Sequence, residues 1–113
     1  MKIYADNAAT TRLSDTALAA MTPCFQEIYG NPSSLHTPGQ LAAEKLAAAR
    51  EVFARNLHAD SREITFTSGG SEADNQALRS AAALGARRGK RHIISTAFEH
   101  HAVLHTLQAL ERE

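Results

Sequence analysis

Two short runs in this 113-residue chain combine residue types that do chemistry. The first is Thr67-Ser68-Gly69-Gly70-Ser71-Glu72-Ala73-Asp74-Asn75, which reads as the handover from a strand to a helix. The opening N–H groups of a helix have no internal acceptor and its dipole favours an anion, so a phosphate is at home there. Paired glycines let the backbone approach a ligand without a Cβ clash. Ser71 has two competing roles, donating its hydroxyl to that phosphate or capping the helix with Asp74 as reciprocal partner. A glycine pair is a weak signal, and by itself it favours a tight turn with a cap while leaving the phosphate role open. Better-known phosphate loops do not match: Gly69-Gly70-Ser71-Glu72-Ala73 lacks the G-x-G-x-x-G run, which argues against a dinucleotide fold. Gly85-Ala86-Arg87-Arg88-Gly89-Lys90-Arg91 imitates a P-loop but is a residue short, lacks the final Ser/Thr and ends a helix, so nucleoside triphosphate binding is unsupported.

The second run is Glu99-His100-His101, just beyond a second predicted strand. Ligands gather outside the carboxyl ends of parallel strands, which would set this run beside the Gly69-Gly70 turn. An imidazole there can stack on an aromatic ring or move a proton near neutral pH. The plain alternative is a partly exposed histidine at a helix start. His101 and His105 are four apart on one helix face, but zinc needs a further ligand and none is near in sequence, so no metal site is expected. His36, His58 and His92 have no ligand spacing and read as structural or exposed. Cys24 sits in an apolar helical stretch with no histidine close by, the setting of a buried structural thiol. Lys2, Lys45 and Lys90 flank a strand, ride a helix and end a helix; none sits in the desolvated pocket that activates a lysine for covalent catalysis.

The elements that must position these residues follow from periodicity. Residues 2–11 read as a short extended stretch around Ile3-Tyr4 that breaks into a small polar arm. Ser14 is a good N-cap, with Leu13 and Leu18 at the positions of a hydrophobic staple. Leu18, Met21, Phe25 and Ile28 mark one face of a helix ending at Gly30 and kinked at Pro23. Asn31-Pro32-Ser33-Ser34 is a turn. A second helix has Thr37 as N-cap, Pro38 at its first position and Gln40 completing a capping box, with Ala42, Leu46, Ala49, Phe53 and Leu57 as its core face. Glu63-Ile64-Thr65-Phe66-Thr67 and His92-Ile93-Ile94-Ser95-Thr96 read as strands on either side of a helix over about 71–88, and a last amphipathic helix carries Val103, Leu107 and Leu110. Strand, helix, strand implies a parallel right-handed βαβ crossover.

Composition sets the bounds. Twelve basic and twelve acidic side chains cancel, leaving no field to draw nucleic acid or anionic lipid. At 12.2 kDa, one domain is expected, exposing about 6,100 of the roughly 17,700 Å² that the unfolded chain would expose, enough for a sizeable core. A lone cysteine rules out an internal disulfide and fits a reducing, cytoplasmic setting. Neither a bilayer-spanning run nor a signal-peptide core is evident.

Four motifs taken together, Tyr4-Ala5-Asp6-Asn7-Ala8-Ala9-Thr10-Thr11, Tyr29-Gly30-Asn31-Pro32-Ser33-Ser34-Leu35-His36, Ile64 through Asn75, and Glu99-His100-His101-Ala102-Val103-Leu104, closely resemble the start of cysteine desulfurases. These are pyridoxal-phosphate enzymes of the class V aminotransferase family, active in sulfur metabolism and iron–sulfur cluster assembly. The motifs cover nearly the whole chain in the right order, which turns the phosphate role into the favoured one. The resemblance implies that Gly70 and Ser71 hold the pyridoxal phosphate group, and that His100 stacks on the pyridine ring and assists proton transfer. Thr10 and its neighbours would lie near the substrate entrance, and the loop from Asn31 to His36 would approach the dimer interface and active site.

The implied fold is α/β: an arm and helical segment over 1–62, then over 63–113 the βαβ start of a fold type I PLP-transferase large domain, incomplete in this chain. In the family the cofactor-binding lysine, the aspartate facing the pyridine nitrogen, the sulfur-accepting cysteine and the substrate-binding arginine all lie farther along. The chain therefore reads as an N-terminal portion, inactive alone and without covalently bound cofactor. The family's substrate is L-cysteine, its products alanine and an enzyme-bound persulfide, and its partners sulfur-acceptor proteins and a second protomer. Two alternatives stand beside this reading: a non-enzymatic self-associating module, and part of a related class V enzyme such as a selenocysteine lyase.

Overall fold

The computed structural model describes residues 3–113; Lys2, and with it the expectation placed on it, lies outside the described residues. Four helices, α1 (Asp15–Gln26), α2 (Thr37–Leu57), α3 (Gly70–Arg87) and α4 (His101–Arg112), and one 3-10 turn (Ser61–Glu63) account for the regular structure, and no strand forms among the described residues. The chain divides into two compact units, one ending at Ile64 and the other beginning at Thr65.

In the first unit the polar arm closes on itself. Asp6 carbonyl accepts from Ala9 N–H at 3.1 Å and Thr10 N–H at 3.3 Å, and the Tyr4 hydroxyl meets both Asp6 carbonyl and Thr10 Oγ1. Ser14 caps α1 as expected, its Oγ accepting from Ala17 N–H at 3.1 Å. The helix stops at Gln26 instead of reaching Gly30. Pro23 carries no N–H for the preceding turn, and its carbonyl takes both Glu27 and Ile28 N–H groups at 2.8 and 2.9 Å, which closes the helix one turn early. Gly30 has a different role from helix termination: a Cβ there would lie 2.2 Å from Pro38 carbonyl oxygen, so only glycine lets the chain pass this close to the start of α2.

The expected Thr37 capping box is replaced by a cap one residue earlier. His36 is the N-cap, extended at φ −79° and ψ 161°, with Nδ1 accepting from Gly39 N–H at 3.2 Å. Thr37 thereby becomes the first helical residue and Pro38 the second. At the other end His58 takes the left-handed conformation, φ 53°, and Ala59 N–H reaches back to Ala54 carbonyl at 3.0 Å. This ends the helix as a glycine would.

The apolar faces read from periodicity do turn toward one another, but they do not close. Met21, Cys24 and Ile28 face Leu46, Ala49 and Phe53 across an apolar cleft of about 620 Å³. Cys24 is partly exposed instead of buried. Only Ala42 and Ala54 are buried apolar residues among those described. The expected sizeable core does not form among the described residues.

Both predicted strands are also absent. Glu63 is drawn into the 3-10 turn by a capping box, with Asp60 N–H donating to Glu63 Oε2 at 2.8 Å and Arg62 N–H donating to Asp60 Oδ1 at 2.9 Å. In the second unit the residues before α3 and the run 91–96 carry no ladder, and Ile94 is 87% exposed. Alternating apolar residues supply a strand's faces but not its hydrogen-bond partners, and two short strands give too little ladder to be stable alone. The βαβ crossover is therefore not formed. Its helix is: α3 runs to Arg87, and Lys90 N–H returns to Gly85 carbonyl at 2.9 Å. The P-loop imitation is thus a helix exit.

Candidate functional site

The second unit brings its two chemistry-bearing runs to one cleft. Helices α3 and α4 pack together and enclose about 490 Å³ lined by Ser71, Asn75, Arg79, His100, His105 and Thr106 among others. Ser71 lies in the first turn of α3 and His100 directly precedes α4, so two helix N-termini open beside the same space.

The start of α3 is built on glycine. Gly69, the N-cap, has φ 157° and ψ 179°, a region essentially reserved for glycine. It offers no side-chain cap to the helix. Ser71 sits one residue inside the helix, so the reciprocal cap with Asp74 is not made and the Ser71 hydroxyl is spared that competing role. Nothing lies within 4 Å of where a Cβ on Gly70 would sit. The first N–H groups of α3 carry no side-chain cap, and uncapped donors at a helix N-terminus suit an anion.

Glu72 adds a negative charge to this turn. Its carboxylate accepts from Ser68 N–H at 2.7 Å and from Ser68 Oγ at 2.5 Å, and these two donors, hydroxyl first, hold its pKa below the ordinary glutamate value. The carboxylate is thereby anchored to the chain that enters the helix.

His100 has one ring nitrogen already committed. Its Nδ1 accepts from Ala102 N–H at 3.1 Å, capping α4. A neutral imidazole accepting at Nδ1 carries its proton on Nε2, so the ring faces are held in place by the cap and Nε2–H remains the donor edge. The His101 ring stands edge-on to His100 at 6.2 Å and to His105 at 5.3 Å. Among the described residues no group of three or more His, Cys, Asp or Glu is arranged to hold a metal ion.

One member of the cleft, Thr106, escaped the sequence reading, and Asn75 stood there only as the last residue of the first run. Asn75 Nδ2 donates to Ser71 carbonyl at 2.8 Å, and Thr106 Oγ1 lies 2.7 Å from both Asn75 Oδ1 and Ala102 carbonyl. The available signal was Thr106 three residues after Val103 and one before Leu107, a polar residue on an apolar face.

Ser71 and His100, each at the start of a helix, line one helix–helix cleft, and sequence comparison gives the chain a family. Residues 3–113 match the aminotransferase class-V family model; the chain belongs to that family, whose members generally depend on pyridoxal phosphate. Within it, the chain matches the N-terminal part of cysteine desulfurases. It is 46% identical over 112 residues to cysteine desulfurase IscS of Clostridium botulinum (strain Kyoto / Type A2), covering 99% of this chain and 28% of that protein. It is 48% identical over 111 residues to a cysteine desulfurase of Nostoc sp. (strain PCC 7120 / SAG 25.82 / UTEX 2576), covering 98% and 27%. A solved NifS-like protein superposes with a TM-score of 0.89 at 42% identity, over 99% of this chain and 30% of that one. The chain therefore spans less than a third of the length of these relatives. No described helix is long and apolar enough to cross a membrane.

Proposed function

We propose that this chain supplies the phosphate-and-ring face of a pyridoxal-phosphate site in a cytoplasmic cysteine desulfurase. That enzyme takes sulfur from L-cysteine, leaving alanine, and passes it to acceptor proteins. Gly70 and Ser71 bind the phosphate through backbone N–H groups and the Ser71 hydroxyl. His100 lies along the ring and, through Nε2–H, holds or passes a proton. The cofactor, when bound, supplies the electron sink that labilises bonds at the amino acid's α- and β-carbons. The domain division at 62/63 and the pairing of two protomers belong to the same proposal.

The observation that carries this reading is the meeting of Ser71 and His100 on one cleft. The test is titration of the chain with pyridoxine 5′-phosphate, which has no aldehyde to react with Lys45 or Lys90, followed by amide and imidazole NMR shifts. Saturable shifts at Gly70, Ser71 and His100, weakened by Ser71→Ala, support the site. No shift at these residues overturns it.

A second reading is favoured by a specific observation. Leu35, Ile94 and Phe98 are each more than four-fifths exposed, and apolar surface of this kind drives association. The isolated chain then self-associates. A monomer by light scattering at high concentration overturns that reading.

A further inference from the structure

A series of short polar contacts through Asn75, Thr106 and Ala102 runs from Ser71 to His100. Ser71 carbonyl accepts from Asn75 Nδ2 at 2.8 Å, Thr106 Oγ1 lies 2.7 Å from both Asn75 Oδ1 and Ala102 carbonyl, with one proton between the two acceptors, and Ala102 N–H donates to His100 Nδ1 at 3.1 Å. Thr106 is 4% exposed and is the buried residue of α4. The Asn75 amide also points its Nδ2 at Ala102 carbonyl, 3.5 Å away.

Each half of this path has a local component that needs no partner helix. Thr106 bonding Ala102 and Asn75 bonding Ser71 are both i to i−4 contacts within one helix. The contact between Thr106 and Asn75 is different, because it is directional, involves a buried hydroxyl and joins α3 to α4. An apolar pair would tolerate sliding of one helix past the other, whereas the 2.7 Å approach of Thr106 Oγ1 to Asn75 Oδ1 is made in one register only. That register sets how far the first turn of α3 lies from the cap of α4.

The geometry points to Asn75 and Thr106 as positioning residues that fix the spacing between the phosphate donors at Ser71 and the ring of His100. This rests on the cofactor-site reading above, and the two are separable by experiment. In the ligand-free chain, Thr106→Val keeps the side-chain shape and removes the hydroxyl. It shifts both the Ser71 amide resonance and the His100 ring-nitrogen resonances, and Thr106→Ser restores both. Pyridoxine 5′-phosphate then binds Thr106→Val about fivefold or more weakly, and Thr106→Ser within about twofold of the unmodified chain, changes of the size one lost positioning contact produces.

Unmoved Ser71 and His100 resonances in a folded Thr106→Val chain overturn the positioning role, whatever the ligand does. Failure of Ser71→Ala to weaken binding overturns the cofactor-site reading, while the ligand-free shifts still decide the path. If Thr106→Val does not fold, the unmodified chain decides: the Asn75 side-chain amide protons should exchange with water at least about tenfold more slowly than those of exposed Asn7, as expected for a partly buried bonded group. Equal exchange rates overturn the path.

Discussion

Thr106 Oγ1 lies 2.7 Å from Asn75 Oδ1, a polar contact at the most enclosed point of the α3–α4 packing. Thr106 is buried while Asn75 is half-buried, so losing the hydroxyl costs chiefly the net worth of one hydrogen bond. Thr106→Val is expected to destabilise the second unit by about 1 kcal/mol and Thr106→Ser by less. Urea unfolding followed by far-UV circular dichroism reads the difference. A Thr106→Val chain as stable as the original would mean that water already serves Asn75.

His100 combines two duties that substitution can separate. His100→Ala removes the Nδ1 acceptor of Ala102 N–H and should cost α4 about 0.5–2 kcal/mol, the range for losing a side-chain N-cap. His100→Asn restores an acceptor at the cap without restoring a ring. Thermal unfolding should then group Asn with the original, whereas pyridoxine 5′-phosphate titration should group Asn with Ala. If Asn binds like the original, the ring has no part in the site.

These two residues also mark what the sequence could and could not disclose. That the glycine pair, Ser71 and His100 stand at helix starts was legible because helix N-termini and capping obey rules spanning a few residues. Ser14 was legible as a cap for the same reason. His36 was not, since imidazole is an unusual cap and Thr37 beside it is a standard one. Residues 63–67 and 92–96 have strand-like alternation, yet strands depend on partners remote in sequence, and without a ladder Ile94 stays exposed. The Asn75–Thr106 contact was invisible because it spans 31 positions and depends on helix register.

Glu72 gives a pH dependence with a definite sign. Its pKa in the folded chain is lowered from the ordinary value of 4.5, first by the Ser68 hydroxyl and then by Ser68 N–H. A depressed carboxylate contributes stability that is fully present above the unfolded value and disappears as pH falls through the folded one. The stability gap between the chain and Glu72→Gln should therefore be constant at neutral pH and vanish in acid below 4.5. A gap that persists unchanged well into that range would show that the Ser68–Glu72 contact does not depend on charge.

The cleft lining includes neither a lysine nor a cysteine. Lys45 and Cys24 instead line the apolar cleft of the first unit. A desulfurase needs a lysine to hold the cofactor covalently and a thiol to accept sulfur. The purified 113-residue chain should accordingly release no sulfide from L-cysteine with added pyridoxal phosphate beyond the rate of the free cofactor. Sulfide above that background, in a preparation free of other desulfurases, would require a reacting group outside the cleft.

Gly70 and Gly30 offer a paired test of what each glycine is for. A Cβ on Gly30 would stand 2.2 Å from Pro38 carbonyl oxygen, and backbone cannot yield as a flexible side chain does. Gly30→Ala should cost the first unit about 1–3 kcal/mol or more, the scale of overpacking. A Cβ on Gly70 meets nothing within 4 Å, and Gly70 opens a helix, where alanine is preferred to glycine. Gly70→Ala should leave stability unchanged or raise it by up to about 0.5 kcal/mol. If Gly70 lies against the phosphate as proposed, the added methyl group crowds the ligand, so binding of pyridoxine 5′-phosphate should fall while the fold holds. Calorimetric unfolding and ligand titration on the same samples read both effects. Undiminished binding by Gly70→Ala would show that a Cβ at this position does not meet the ligand.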